Sequence, residues 1–233
     1  LSHRLKNHFP HVPTEGQERL IEAFPRFILS VKPRCTLLIK GYAGTGKTTS
    51  MGAIVRTLIE IRKTFIMLAP TGRAAKVMAS YSGINAHTIH RCIYKAQTGA
   101  DGERGYTIAE NKFKNAVFIV DEASMIGADA GLLDDLMQYV FSVKGCRLIL
   151  VGDGAQLPPV GCVLSPALDL AYMKTRFDLT IAEVELTEVV RQELNSSILI
   201  NAHSLRVCID GLDPGSRASV PQIDLEAGPD VIK

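Results

Sequence analysis

No two of the five cysteines (Cys35, Cys92, Cys146, Cys162, Cys208) form a Cys-x-x-Cys pair, which argues against both zinc and a disulfide framework. Scattered single cysteines fit buried, reduced thiols in a cytoplasmic protein. Long apolar runs are missing as well. The longest, such as 65–69 and 148–151, fall far short of the roughly 20 residues a membrane-spanning helix needs, so no membrane partner is expected. No signal peptide is visible at the start. The first residue is Leu rather than Met, as expected of a processed or excised piece. Charge of one sign is also scarce: 26 Lys and Arg against 24 Asp and Glu leave a net charge of +2. Composition alone therefore does not imply nucleic acid, and any such site must be a local patch. What remains is a chain of 233 residues with 46% hydrophobic content, enough to bury a core in one large or two small domains.

The most informative stretch is Gly41-Tyr-Ala-Gly-Thr-Gly-Lys47-Thr48. An apolar run precedes it and a helix-like run over 49–61 follows. This is the strand, glycine loop and helix order of a phosphate-binding loop. Gly44, Thr45 and Gly46 let the backbone turn its N–H groups toward an anion. The helix after them, beginning near Thr49, adds the positive end of its dipole. Lys47 can reach the β- and γ-phosphates of ATP, and the Thr48 hydroxyl can ligate Mg²⁺.

Apolar runs of strand length recur at 35–40, 65–69, 117–121 and 147–152, with a weaker one at 184–186. They are continuous rather than alternating, which predicts an α/β fold: a mainly parallel sheet with helices on both faces. Ligands of such sheets bind beyond the carboxyl ends of the strands. Before the first strand, Thr14 to Gln17 opens a helix carrying Leu20, Ile21 and Phe24 on one side, and Pro25 should end or kink it. Residues 97–105 are a turn-rich insertion, a small hairpin or a loop, and the chain beyond Gly211 reads as a linker.

Two acids, Asp121 and Glu122, close the third run. In a phosphate-loop protein the first holds Mg²⁺ opposite Thr48, and the second acts as general base toward water. The ordinary alternative is a helix start that favours acids. The fourth run ends in Gly152-Asp-Gly-Ala-Gln156, whose amide can sense a γ-phosphate without competing for the proton.

Together these segments resemble a superfamily 1 DNA helicase of the RecD/Dda branch. The matches are the glycine loop, Ala69-Pro-Thr-Gly-Arg-Ala-Ala75, Ala86-His-Thr-Ile-His-Arg91, Asp121-Glu-Ala-Ser124, Gly152 to Val160, and Leu186-Thr-Glu-Val-Val-Arg-Gln192, in family order. The resemblance implies a RecA-like P-loop NTPase domain that uses ATP and Mg²⁺ and moves 5′-to-3′ on single-stranded DNA. It assigns adenine contact to Gln17, although Thr14 and Gln17 also have capping-box spacing. It assigns γ-phosphate contact to Arg191, which joins Lys47, Glu122 and Gln156 as a catalytic residue. Pro70, Thr71 and Arg73, with Lys76 adding charge, resemble one DNA-backbone segment. His87, Thr88, His90 and Arg91 resemble a second, where a histidine is equally at home as a structural residue.

The implied organisation is an N-terminal helical segment at 1–33, a RecA-like ATPase domain at 34–205 and a linker at 206–233. The insertion at 95–114 sits where relatives carry a small subdomain, or pin, that splits the duplex. Motors of this kind need a second RecA-like domain, which supplies an arginine finger, and some relatives join nuclease or repair subunits. A phosphate-loop kinase, or a nucleotide-switched DNA-binding subunit with vestigial hydrolysis, are the competing expectations. The isolated chain should bind nucleotide and open no duplex. A strand-displacement assay on a labelled fork checks this, and robust unwinding overturns it.

Overall fold

Leu38, Leu68, Phe118, Val120, Leu148 and Leu150 point into one hydrophobic cluster, while Leu37, Ile39, Met67, Val117, Ile119, Ile149 and Val151 point into another. Successive strand residues face opposite ways, so strands with both faces covered must be apolar throughout. The computed structural model describes residues 1–98, 104–127, 131–156, 159, 161–162, 164–188 and 201. In order these form α1 (Ser2–Asn7), α2 (Glu15–Leu29), β1 (Cys35–Gly41), α3 (Lys47–Glu60), β2 (Phe65–Ala69), α4 (Gly72–Ser82), β3 (Ala86–Thr88) and α5 (Ile89–Ile93). After them come β4 (Tyr94–Thr98), β5 (Arg104–Ile108), β6 (Val117–Val120), α6 (Leu132–Phe141), β7 (Arg147–Gly152), α7 (Leu170–Phe177) and β8 (Thr180–Leu186).

Six strands form one sheet in the order β3-β2-β6-β7-β1-β8, and each neighbouring pair is parallel. The first cluster covers one face with residues of α5, α6 and α7, such as Ile93, Leu136 and Met173. The second covers the other face with residues of α1 to α4, including Leu5, Phe24, Ile54 and Met78. The expected α/β class and parallel sheet are present. The N-terminal helices share the second cluster with β1 and α3.

Boundaries differ in instructive ways. Pro25 does not end its helix: α2 continues to Leu29, with Phe27 and Ile28 buried beyond the proline. A proline inside a helix costs ~3 kcal/mol. Burying an apolar side chain returns about 1.5–3 kcal/mol, so the two residues past it offset the loss. Arg147 holds the end of this helix, donating to the carbonyls of Phe27 at 3.1 Å and Ser30 at 2.6 Å. β8 extends over seven residues rather than the three expected. As an edge strand it leaves Glu183 and Glu185 exposed, which breaks up its apolar signal. β4 and β5, which pair antiparallel, overlap both ends of the turn-rich insertion.

Phe118 lies at the centre of the first cluster, fully buried, with edge-on contacts to Phe113 at 5.8 Å and Tyr139 at 5.9 Å. Phe118→Ala should cost about 3–5 kcal/mol of stability. Urea unfolding followed by circular dichroism measures it, and a loss under about 1 kcal/mol would mean the cavity collapses freely.

Candidate active site and nucleic-acid interface

β1 delivers the chain to Gly41, which lies against Leu186 at the end of β8. A Cβ at Gly41 would stand 2.6 Å from Thr45 Oγ1 and 3.0 Å from the Leu186 side chain, so only glycine fits there. Thr45 is buried and its hydroxyl donates to the Tyr42 carbonyl at 2.8 Å. Gly46 takes the left-handed conformation (φ 80°) as N-cap of α3. The helix thus begins two residues earlier than the sequence suggested, with Lys47 and Thr48 in its first turn. Thr48 is exposed and Thr49 half-buried. Lys47 Nζ folds back to donate to the carbonyls of Gly41 and Tyr42, each at 2.7 Å, and lies 3.5 Å from Asp153 Oδ2.

Next in the sheet, β7 ends at Gly152 and places Asp153, nearly buried, facing that lysine. Asp153 Oδ1 accepts from the Ala155 N–H at 2.9 Å, which shapes the turn carrying Gln156. Beside it, β6 ends at Val120, so Asp121 lies just past the strand rather than inside it. Asp121 Oδ1 accepts from the Glu122 N–H at 2.9 Å, and Oδ2 accepts from the Tyr81 hydroxyl at 2.8 Å. Glu122 is left-handed (φ 54°) at the head of a 3₁₀ turn over Ala123–Met125. That conformation is unusual for a side chain with a Cβ, and the Asp121 carboxylate helps hold it. The Ser124 hydroxyl donates to Gln156 Oε1 at 3.0 Å.

Burial raises the Glu122 carboxyl above its ordinary pKa, and the neighbouring charge of Asp121 adds to the rise. Gln156 and Lys47 pull the other way. Among the described residues, no three His, Cys, Asp or Glu side chains gather as a metal cage. Mg²⁺ is compatible with such a site, because it takes one or two protein oxygens and completes its shell with water and phosphate. Thr48, Asp121 and Asp153 offer hard oxygen donors of that type. The loop fits a polyphosphate: its glycine turn opens onto the first turn of α3.

Gln17 is fully buried and completes the capping box with Thr14, its Oε1 accepting from the Thr14 N–H at 3.1 Å. Its Nε2 is buried and, among the described residues, has no hydrogen-bond partner. The amide therefore caps its helix through Oε1. Its neighbour Gly16 packs on Leu186, as Gly41 does, so Gln17 sits beside the glycine loop. Arg191 lies outside the described residues, as does the expected linker at 206–233.

The other candidate set lies at the far end of the same sheet edge. Thr71 follows β2 after Pro70 and caps α4, accepting from Ala74 N at 3.2 Å. Thr88 ends β3 and caps α5, accepting from Arg91 N at 3.2 Å. Arg73, Lys76, His87, His90 and Arg91 are exposed. The His90 ring lies 5.6 Å from the Tyr94 ring, a structural contact on an otherwise open residue. β2 and β3 are neighbours, with Ala69 opposite Thr88, so the two segments lie side by side.

Three residues escaped the sequence reading. Asp153 carried a usable signal, since it ends an apolar strand just as Asp121 does. Ser124 lay within the matched segment 121–124 without a role, and Tyr81 carried no signal; their partners lie 32 and 40 residues away.

Residues 14–207 match the family described as an AAA domain. The chain is 32% identical over 197 residues to the ATP-dependent RecD2 DNA helicase of Deinococcus radiodurans, spanning 83% of this chain and 25% of that protein. It is 33% identical over 201 residues to the ATP-dependent DNA helicase dda of Enterobacteria phage T4, spanning 83% of this chain and 42% of that one. The chain thus spans well under half the length of these relatives. In fold it is similar to the crystal structure of the Pif1 helicase from Candida albicans, with a TM-score of 0.55, 22% identity, and coverage of 84% of this chain and 44% of that one. The fold is that of a RecA-like P-loop NTPase.

The raised Glu122 pKa carries a sign for stability. The folded state holds this proton more tightly than the unfolded chain, so stability is fullest below the ordinary glutamate pKa and is lost as pH rises through the folded value. Glu122→Gln removes the penalty. Without nucleotide, its Tm should exceed that of the wild type at pH 7.5, and the gap should close on acidification. Differential scanning calorimetry across pH tests this. A variant less stable at pH 7.5 contradicts it.

Proposed function

Because this chain belongs to the AAA-domain family, within the RecD- and Pif1-like branch of superfamily 1 helicases, we propose that it is the first motor domain of an ATP-dependent DNA helicase. Its work is to couple ATP hydrolysis to movement along single-stranded DNA. The observation carrying this reading is the convergence of Lys47, Asp153 and Glu122 at the ends of three adjacent parallel strands. The exposed cations and threonine caps at Thr71 and Thr88 share that sheet edge.

In this mechanism Lys47 exchanges its two carbonyl contacts for the β- and γ-phosphates of ATP. Thr48 and Asp121 would hold Mg²⁺, which would neutralise charge on the phosphates. Gly44, Thr45, Gly46 and Thr49 present the loop and first-turn N–H groups. Glu122 takes the proton of the attacking water, a role its raised pKa suits, because a stronger base abstracts better. Gln156, oriented by Ser124, faces the γ-phosphate together with Arg191, and Gln17 reads adenine through Nε2. Pro70, Thr71, Arg73, His87, Thr88, His90 and Arg91 contact the DNA backbone. The β4–β5 hairpin is a reduced form of the duplex-splitting element. A second RecA-like domain completes the site with an arginine, so the domain alone hydrolyses slowly and unwinds nothing. Nuclease or repair subunits are candidate partners.

Steady-state hydrolysis by the full-length protein, with and without oligo(dT), tests the reading. Single-stranded DNA should stimulate it, and Lys47→Ala should lower the rate at least about a hundredfold, an effect of the size seen when one preorganised electrostatic contact is lost. A kinase would hydrolyse ATP without responding to DNA. An unaltered rate in the lysine variant would remove the glycine loop from the mechanism.

A further inference from the structure

α4 begins at the proposed DNA contacts and ends beside the catalytic carboxylates. Thr71 caps it, and Arg73 and Lys76 stand exposed in its first turns. Ala74, Val77 and Tyr81 follow at helical spacing and share one face. The first two line a cavity of about 260 Å³ together with Thr71, Arg73, Asp121, Glu122, Met125 and Gln156. Open space thus separates the start of the helix from the catalytic groups. Two turns later the gap closes, and the Tyr81 hydroxyl donates to Asp121 Oδ2 at 2.8 Å. Among the described residues this is the one side-chain hydrogen bond between α4 and the catalytic acids. The Tyr81 ring packs against the second hydrophobic cluster, so its hydroxyl moves with the helix.

Asp121 has two oxygens and both are engaged, one by its own chain neighbour and one by a helix whose other end faces DNA. Moving α4 changes the second bond and leaves the first. We propose that Tyr81 is a positioning residue that couples DNA occupancy at the start of α4 to the orientation of the Asp121 carboxylate, and so to the affinity for Mg²⁺-nucleotide. The inference rests on the motor reading above. A helix of 11 residues is a rigid lever about 16 Å long, and a shift at its capped end reaches Tyr81 without any rearrangement of the sheet. Linkage makes the effect reciprocal: nucleotide binding alters affinity for DNA by the same factor.

The test uses the full-length protein and a fluorescent, non-hydrolysable ATP analogue in Mg²⁺. Its Kd is measured with and without saturating oligo(dT), in wild type and in Tyr81→Phe. The ring is retained, so packing is preserved, and an unchanged Tm verifies this. In the wild type, DNA should change the nucleotide Kd by a factor within the usual span of about 5 to 150. In Tyr81→Phe that factor should fall toward one, while the Kd for oligo(dT) alone stays near wild type. The reciprocal titration, oligo(dT) affinity with and without nucleotide, should lose the same factor. If the variant keeps the full factor, or weakens nucleotide equally with and without DNA, the coupling role is overturned and the motor reading stands. If wild type shows no DNA effect on nucleotide affinity and no stimulated hydrolysis, the motor reading falls and takes this inference with it.

Discussion

Covering both faces of a parallel sheet leaves the chain few places for polar chemistry. The interior strands must be apolar along their whole length, because neither side of the pleat meets water. Charged and hydroxyl groups therefore collect where strands end, and the parallel arrangement brings all carboxyl ends to one edge. Lys47, Asp121, Asp153 and Gln156 share that edge as a consequence of burial. The glycine loop, the caps of α4 and α5, and the lone donor of Gln17 are variations on the same boundary between core and solvent.

The electrostatics follow from crowding at this edge. Lys47 is held by two carbonyls and an aspartate, all from segments just past β1 and β7. Asp121 accepts one hydrogen bond on each oxygen, from the Tyr81 hydroxyl and from the backbone N–H of Glu122. Burial and the charge of Asp121 push the Glu122 carboxyl upward. A raised carboxyl pKa makes the carboxylate a better proton acceptor.

Much of this was legible in the residues. Strands 65–69 and 147–152 were read with their observed limits, because doubly buried strands have no polar interruptions. The Thr14–Gln17 capping box was legible from local spacing and is realised in the bond from Thr14 N–H to Gln17 Oε1. β8 was mostly hidden, since an edge strand can expose glutamates. Pro25 misled because a local rule about proline ignores what the following turn buries. Asp121 and Glu122 announced themselves by ending an apolar run. Tyr81 could not, since a tyrosine inside an amphipathic helix reads as packing, and its bond to Asp121 exists only once β2, β6 and α4 have assembled.

The left-handed backbone at Glu122 limits how this position can be probed. Removing its carboxylate with a β-branched residue would ask the peptide to hold a conformation that valine or threonine resists. Activity lost in such a variant would report a displaced 3₁₀ turn, and with it a displaced Ser124 and Gln156, as much as a missing base. Asparagine tolerates the same region better than most residues, and glutamine keeps the length of the side chain. The backbone at 122 thus decides which substitutions measure chemistry and which measure folding.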